Sequence, residues 1–510
     1  MLRPSGVRAG LLRALSWKKP AGLPLSAENI LGVRNMSSDE IRLDDAVALG
    51  LARGVLAERQ WDRISDGIAS HKQSIESCLA DIELRLLVPT SADVTSEVAR
   101  TANMLLLRKD FQREVVMVTG RPPANEAFNA WLFVQLARSH CAGLPDGEHL
   151  FVPLAPPPSP SAAGHHWPLV KYLQRARDRA DEAVDADAEP VEAQAAVCDA
   201  WLRQRWEQAR AQVLADAAVA RARCEGIMAG TGEEEADSAQ CFVVHGEELA
   251  DGGFRVWLGG GGPEGQKSEH RINAACASKL RRGFRGADQD WNSRLFLLLH
   301  RYACVFGPSH GEGRGWQLAT PPAAMDGFSQ DFGVDAECFA SPMNRRQPRY
   351  CSAFLDTDAP FGSEGNFFAA ARRGVLASFG SAECGPPYDD ELMRLAVEAL
   401  DVELSRRERD EAGRAGSFVL VVPDWSEPPS QFWRAAKVSR HLAHVLSLDK
   451  ERHRYIEGFQ HQASSARTRF IQGECATLCI WMQNAAGREK YPVSEEKLER
   501  QRQAWDLPPR

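Results

Sequence analysis

No run of eighteen consecutive apolar residues occurs in the 510-residue chain, so no segment is long enough to cross a bilayer as a helix. Twelve cysteines are scattered over residues 78–479, yet none forms a C-x-x-C pair, which argues against a zinc ribbon. Cys475 and Cys479 stand four apart, a spacing that suits one helix face or a strand end better than a metal site. The thiols read as reduced and mostly buried, as in an intracellular protein. A G-K-[ST] phosphate loop is also missing. The one glycine-rich stretch, FRVWLGGGGPEG (254–265), opens no helix and reads as a flexible hairpin tip rather than a phosphate cradle. Positive charge is not in excess: the formal charge is −8, which excludes a protein that coats nucleic acid wholesale but leaves room for a local basic groove. Acids are absent before Glu28, while Arg3, Arg8, Arg13, Lys18 and Lys19 are interspersed with Leu11, Leu12, Leu15 and Trp17. That start resembles a mitochondrial transit peptide; a disordered basic tail is the other reading.

What is there looks globular, with 44% hydrophobic and 25% charged residues, and 510 residues are enough for two or more domains. Residues 1–38 read as the basic tail or transit-like segment. Residues 39–290 read as a mainly α-helical accessory domain, with helix-like spacing from Ser38 to about Ala142. A proline-rich break at 150–168 and long Ala/Arg/Glu-rich helices over 168–229 follow. An acidic turn at 230–238 and two β-like runs, CFVVHGEEL and FRVWL, complete that region. Residues 489–510 read as a C-terminal tail.

Residues 291–488 have a different texture. RLFLLLHRYACVFG predicts a buried helix. VDAECFASPMN, GVLASFGSAECGPPY, SFVLVVPDW and TLCIWMQN predict strands, and amphipathic stretches such as DELMRLAVEAL separate several of them. Apolar strands alternating with helices imply an α/β fold with a mostly parallel sheet covered on both faces. Ligands in such sheets lie beyond the strands' carboxyl ends. Special residues stand at those ends: Ser341 to Asn344, Pro423 to Trp425, and the tetrapeptide Gly385, Pro386, Pro387, Tyr388.

An X-Pro-Pro-aromatic turn suits one chemistry well. The amine on adenine's six-position is a poor nucleophile, because its lone pair is delocalised into the ring. A methylating site must aim acceptors at its N–H bonds and hold the base flat. The prolines fix the backbone so that the first proline's carbonyl faces outward. The aromatic ring stacks on the base. Acids following proline at a helix start are also ordinary capping chemistry.

Around the tetrapeptide, AECFASPMNRRQPRYCSAFLDTDAPFGSEGNFF, GSAECGPPYDDELM, VVPDWSEPP, HRYIEGFQHQ and WMQN occur in one order over residues 290–485. Together they resemble the phosphorylated-CTD-interacting factor family of cap-specific adenosine N6-methyltransferases. The resemblance implies a Rossmann-like core using S-adenosylmethionine, acting in the nucleus on capped mRNA whose first nucleotide is 2′-O-methyladenosine. It implies that Gly385, Pro386, Pro387 and Tyr388 are the catalytic turn. It places Phe339, Ala340, Ser341, Pro342 and Asn344 at the donor pocket, with Asp358, Phe361, Gly362 and Ser363, beside Asp356, in a neighbouring loop. The family turn begins with Asn, and Gly385 deletes that side-chain acceptor. The Pro386 carbonyl remains; Glu383 as a substitute, or a different closing of the neighbouring chain, are the ways to restore the second. A catalytically weak or inactive RNA-binding relative is the alternative. A tryptophan pair with a closing proline, which would mark a module reading the RNA polymerase II C-terminal tail, is not found near the start, so that contact is not carried over.

A capped RNA end brings phosphates and a cationic base. Arg345, Arg346 and Arg349 beside Tyr350, and Lys279, Arg281, Arg282 and Arg285 around Phe284, combine charge with aromatic faces as single-stranded RNA requires. Trp425, Trp433 and Trp481 are candidates to face 7-methylguanine. His441, His444, His453 and His461 read as structural or phosphate contacts, and no metal is expected. Methylation of a different adenine, in an organelle, is a further alternative raised by the basic start.

Overall fold

The computed structural model describes residues 94–120, 126–143, 151, 154, 168–178, 190–228, 243–259, 269–307, 314–409, 413–462 and 470–506. The basic start, residues 38–93, nearly all of the proline-rich break, the acidic turn and residues 260–262 of the glycine run lie outside them. Contacts group residues 92–372 with 379–510 in one unit, and residues 1–91 with 373–378 in another. Of the second unit, the described part is residues 373–378, with the 3-10 turn Val375–Ser378.

In the first unit the chain opens with four helices: α1 (Val94–Thr119), α2 (Glu126–Cys141), α3 (Pro168–Asp178) and α4 (Val191–Met228). Phe111, Phe128, Trp131 and Trp206 are buried among α1, α2 and α4, where each large ring removes much apolar surface from water. The expected β-like runs form β1 (Val244–Glu248) and β2 (Phe254–Leu258), and β3 (Glu269–Ile272) adds a third antiparallel strand. Next come α5 (Ala274–Gly283) and the buried α6 (Trp291–Phe306). Asn273 caps α5 by accepting the Cys276 N–H.

The remaining elements alternate. They are α7 (Pro322–Phe332), β4 (Val334–Ala340), β5 (Arg349–Ser352), α8 (Leu355–Asp358), α9 (Phe367–Arg372), β6 (Ser381–Cys384), α10 (Asp390–Arg409) and β7 (Ser417–Pro423). Then follow α11 (Gln431–Val438), β8 (Leu442–Leu448), β9 (Arg454–Ile456), β10 (Phe470–Gln472), β11 (Thr477–Gln483), α12 (Ala485–Lys490) and α13 (Glu495–Trp505). Six strands make one sheet in the order β5-β4-β6-β7-β11-β8. Strands β5, β4, β6 and β7 pair in parallel, and β11 runs antiparallel to both β7 and β8. Every residue of β7 and β11 is buried, which explains why SFVLVVP and TLCIWMQ read as unbroken apolar runs rather than alternating ones.

The order of this sheet creates a switch point. From β4 the chain moves to β5 on one side, then crosses to β6 on the other. The carboxyl ends of β4 and β6 therefore diverge into a crevice. Behind the sheet, Arg301 of α6 is wholly buried and pairs with Glu97 of α1 at 2.6 Å and Asp356 of α8 at 2.8 Å. Opposing carboxylates offset the desolvation of that guanidinium.

Residues 489–510, expected as a tail, are not one over their described part. Ser494 caps α13, and Leu498 and Trp505 bury against the core that holds Phe328, Phe332 and Trp481. Their apolar area outweighs the polar surface of the helix.

Candidate active site

The crevice at the switch point is an open cleft with about 610 Å³ of empty space, open solvent included. Strand β4 contributes Glu337 and Phe339; the β6 end contributes Glu383, Gly385, Pro386, Pro387 and Tyr388. Trp316, Thr320 and Tyr455 close other sides. The tetrapeptide thus stands where the strand order predicted.

Its local structure follows from its residues. The carbonyl of Pro387 accepts the Asp389 N–H at 2.8 Å, while that of Pro386 has no hydrogen-bond partner among the described residues. Asp389 caps α10 by accepting N–H bonds from Glu391 and Leu392, and Asp390 accepts those of Gln431 and Phe432 at the start of α11. The acids after the prolines are therefore structural.

Two carboxyls face each other in the cleft wall. Glu337 and Glu383 are direct partners in the β4–β6 register, and both are buried. Glu337 is satisfied: one oxygen accepts the N–H groups of Arg346 and Gln347 at 2.7 and 2.6 Å, which pins the turn after β4. Glu383 accepts a single bond among the described residues, from the Thr320 hydroxyl at 3.2 Å. Burial, reinforced by the neighbouring Glu337, pushes the Glu383 carboxyl up to about 8. Burial also raises Glu337, partly opposed by its two N–H donors.

Tyr388 is held by its hydroxyl. It donates to the Tyr455 hydroxyl at 2.8 Å, which meets the Thr477 hydroxyl at 2.5 Å, which meets His453 Nε2 at 2.8 Å. The other ring nitrogen of His453 lies 2.7 Å from the Asp449 carbonyl. A carbonyl only accepts, so Nδ1 carries the proton and Nε2 accepts from Thr477. The relay thus runs in one direction from Tyr388 to a neutral His453, whose protonated form burial disfavours. Trp505 backs it, 5.4 Å from the Tyr455 ring.

The expected donor-pocket residues divide. Phe339 and Asn344 line the cleft, and Phe339 also packs on Phe367 with centroids 4.7 Å apart. Ala340 ends β4, and Ser341 and Pro342 begin the tight turn. There the Ser341 N–H and hydroxyl both donate to the Asn344 amide oxygen. Asp358, Phe361, Gly362 and Ser363 are not among the cleft residues. Asp358 is buried, accepts from Tyr302 at 2.8 Å, and is raised by burial to about 6. Phe361 packs on Phe284 and Trp291, the left-handed Gly362 ends a 3-10 turn, and Ser363 bonds Ser352. Asp356, as seen, belongs to Arg301.

The two basic clusters come together. The Lys279 ammonium donates to the carbonyls of Met343 and Arg345, and α5 lies so close that a Cβ on Gly283 would meet Arg345 Nη2 at 2.8 Å. Arg346 reaches the cleft and pairs with Asp326; Arg349 lies over Phe379. Arg281 stacks on Trp291 at 3.8 Å, and Arg282 is exposed and bonds Ser278. Trp481 is fully buried against Phe332, which removes it as a platform for a cap base. Trp425 has Lys171 3.8 Å above its ring. His441 is buried against Asp401. No disulfide and no metal-binding cluster occurs among the described residues. None of the described helices is long and apolar enough to cross a membrane.

Residues 280–458 match the family model described as phosphorylated CTD interacting factor 1 WW domain. That stretch takes in five strands of the large sheet, the whole tetrapeptide and both cleft glutamates. A Homo sapiens protein named mRNA (2′-O-methyladenosine-N(6)-)-methyltransferase is 34% identical over 208 residues, 40% of this chain and 28% of the relative. The Mus musculus protein of the same name is 33% identical over 210 residues, with the same shares. The chain thus covers 28% of the length of these curated relatives.

Proposed function

We infer that this chain, whose residues 280–458 match the phosphorylated CTD interacting factor 1 family model, belongs to that family and is an S-adenosylmethionine-dependent methyltransferase acting on N6 of 2′-O-methyladenosine beside the cap of mRNA. The observation that carries this reading is the position of Gly385, Pro386, Pro387 and Tyr388 at the carboxyl end of β6, beside the end of β4, on an open cleft. The names of the relatives supply the reaction; the cleft supplies a place for it.

The residues present fit such a donor. Phe339 and Trp316 offer apolar faces and Asn344 an amide. When bound, S-adenosylmethionine supplies a methyl group on positively charged sulfur. The chain's own task is to hold the base. The free Pro386 carbonyl offers an acceptor to one amine N–H, and Tyr388 offers a ring that the relay to His453 keeps from rotating. Stacking of that kind contributes about 1–3 kcal/mol per base. Residues Arg345, Arg346, Arg281 and Arg282 form the RNA-facing surface in this reading, with residues 39–290 as an accessory region to the catalytic 291–488. The nucleus is the expected compartment; a fluorescent reporter carrying residues 1–40 that enters mitochondria instead would redirect the proposal to organellar RNA.

The test is incubation of the purified chain with donor and a capped transcript beginning with 2′-O-methyladenosine, followed by mass spectrometry of the cap nucleosides. Tight binding of the capped RNA without any product would leave the RNA-binding alternative that Gly385 suggests.

A further inference from the structure

We propose that Glu383 supplies the amine acceptor that residue 385 lacks, so that the carboxyl three residues before the first proline reads adenine's amino group together with the Pro386 carbonyl. This rests on the methyltransferase reading above and adds a specific residue to it.

The geometry carries the inference. A Cβ built on Gly385 would lie 2.8 Å from Glu383 Oε1, closer than real Cβ contacts come. A side chain at 385 would therefore turn the flexible Glu383 carboxyl aside from its observed position, the space into which such a side chain would start. Glycine at 385 is what makes room for it. The carboxyl also has capacity left, since its one hydrogen bond among the described residues is the 3.2 Å contact from Thr320. Glu337, its neighbour across the strands, is by contrast committed to the backbone of Arg346 and Gln347. Glu383 is buried yet lines the cleft beside Pro386 and Tyr388, so a base held by the tetrapeptide meets it.

Its raised proton affinity fits the same role. A neutral carboxyl presents a carbonyl acceptor and an O–H donor side by side, and adenine's edge presents an N–H donor and the N1 acceptor side by side. The two match.

Four proteins test this: wild type, Glu383→Ala, Gly385→Asn, and the double variant. Single-turnover methylation of the capped 2′-O-methyladenosine transcript is measured at saturating donor, and donor affinity by calorimetry. Loss of one well-placed acceptor predicts a drop of roughly a hundred- to a thousand-fold for Glu383→Ala with donor affinity unchanged. Gly385→Asn alone gains little, because the new side chain turns the Glu383 carboxyl aside and exchanges one acceptor for another. The double variant, with the space cleared and an amide acceptor supplied, recovers much of the rate, which also shows that the single variant's loss is not misfolding. Full activity in Glu383→Ala overturns the proposal and leaves the methyltransferase reading standing. So does a variant whose defect is confined to donor affinity, since Glu383 would then face the donor's cation. A second readout needs no turnover. Wild type should bind a capped oligonucleotide carrying adenosine about tenfold better than one carrying purine riboside, which lacks the amine. Glu383→Ala should lose that preference, and an unchanged preference refutes the assignment. If wild type methylates no RNA, the methyltransferase reading fails, while this binding comparison still decides whether Glu383 reads the amine.

Discussion

At the scale of single residues, the site is a set of hydrogen-bonding commitments. In the proposed reading Tyr388 serves through its ring, and its hydroxyl is held by Tyr455. Tyr388→Ala removes the stacking face and should lower methylation about five- to 150-fold, from the 1–3 kcal/mol such a face contributes. Tyr388→Phe keeps the ring and cuts the relay, so it should keep most of the activity while lowering the unfolding midpoint, measurable by calorimetry. Glu383 makes stability depend on pH. Its folded value of about 8 lies above the ordinary carboxylate range that it has in the unfolded chain. The folded state therefore holds the extra proton between those values, and the stability this contributes is lost as pH rises through 8. The unfolding midpoint should fall between about pH 5 and about pH 9 more steeply in wild type than in Glu383→Gln. The tetrapeptide and the missing acceptor were legible in the sequence, because prolines and glycine act locally. The relay and the Glu337–Glu383 pairing were not. Both depend on strand register, which joins Glu337 to Glu383 and Tyr388 to Tyr455 and Thr477 across the sequence.

At the scale of elements, the long apolar strands were readable, because a strand buried on both faces needs an unbroken apolar run. Strand β5 was not, being four residues that begin with an arginine and end with a serine. Nor was β8, whose His444 drew notice as a titratable group rather than as part of LAHVLSL. The signal for α13 was present in Ser494 followed by Glu495 and Glu496, a capping pattern outweighed by the helix's polarity. Its Trp505 supports Tyr455, and through it Tyr388. Trp505→Ala should cost about 3–5 kcal/mol of stability by chemical denaturation, as large buried truncations do. Behind the sheet, Arg301→Ala leaves the buried Asp356 without its paired cation and Glu97 with Arg100 alone. Breaking such a pair costs about 3–5 kcal/mol. The measurable sign is a lower denaturation midpoint with an unchanged dependence on donor concentration in the surviving folded protein.

At the scale of the whole molecule, strand order places the candidate chemistry. The turn from β5 back across β4 to β6 opens the one crevice in which an apolar wall, a pair of buried carboxyls and a rigid aromatic turn meet among the described residues. The basic residues that follow β4 and those at the end of α5 converge beside it through Lys279. Sequence placed each cluster but could not join them, since some sixty residues separate them along the chain. The measurement that bears most directly on this account is mass spectrometry of cap nucleosides after the purified chain meets donor and a 2′-O-methyladenosine-capped transcript. The account predicts one added methyl on that adenosine, at N6, formed much more slowly in Tyr388→Ala. An unmodified cap adenosine, with donor and RNA both shown to be bound, would contradict it.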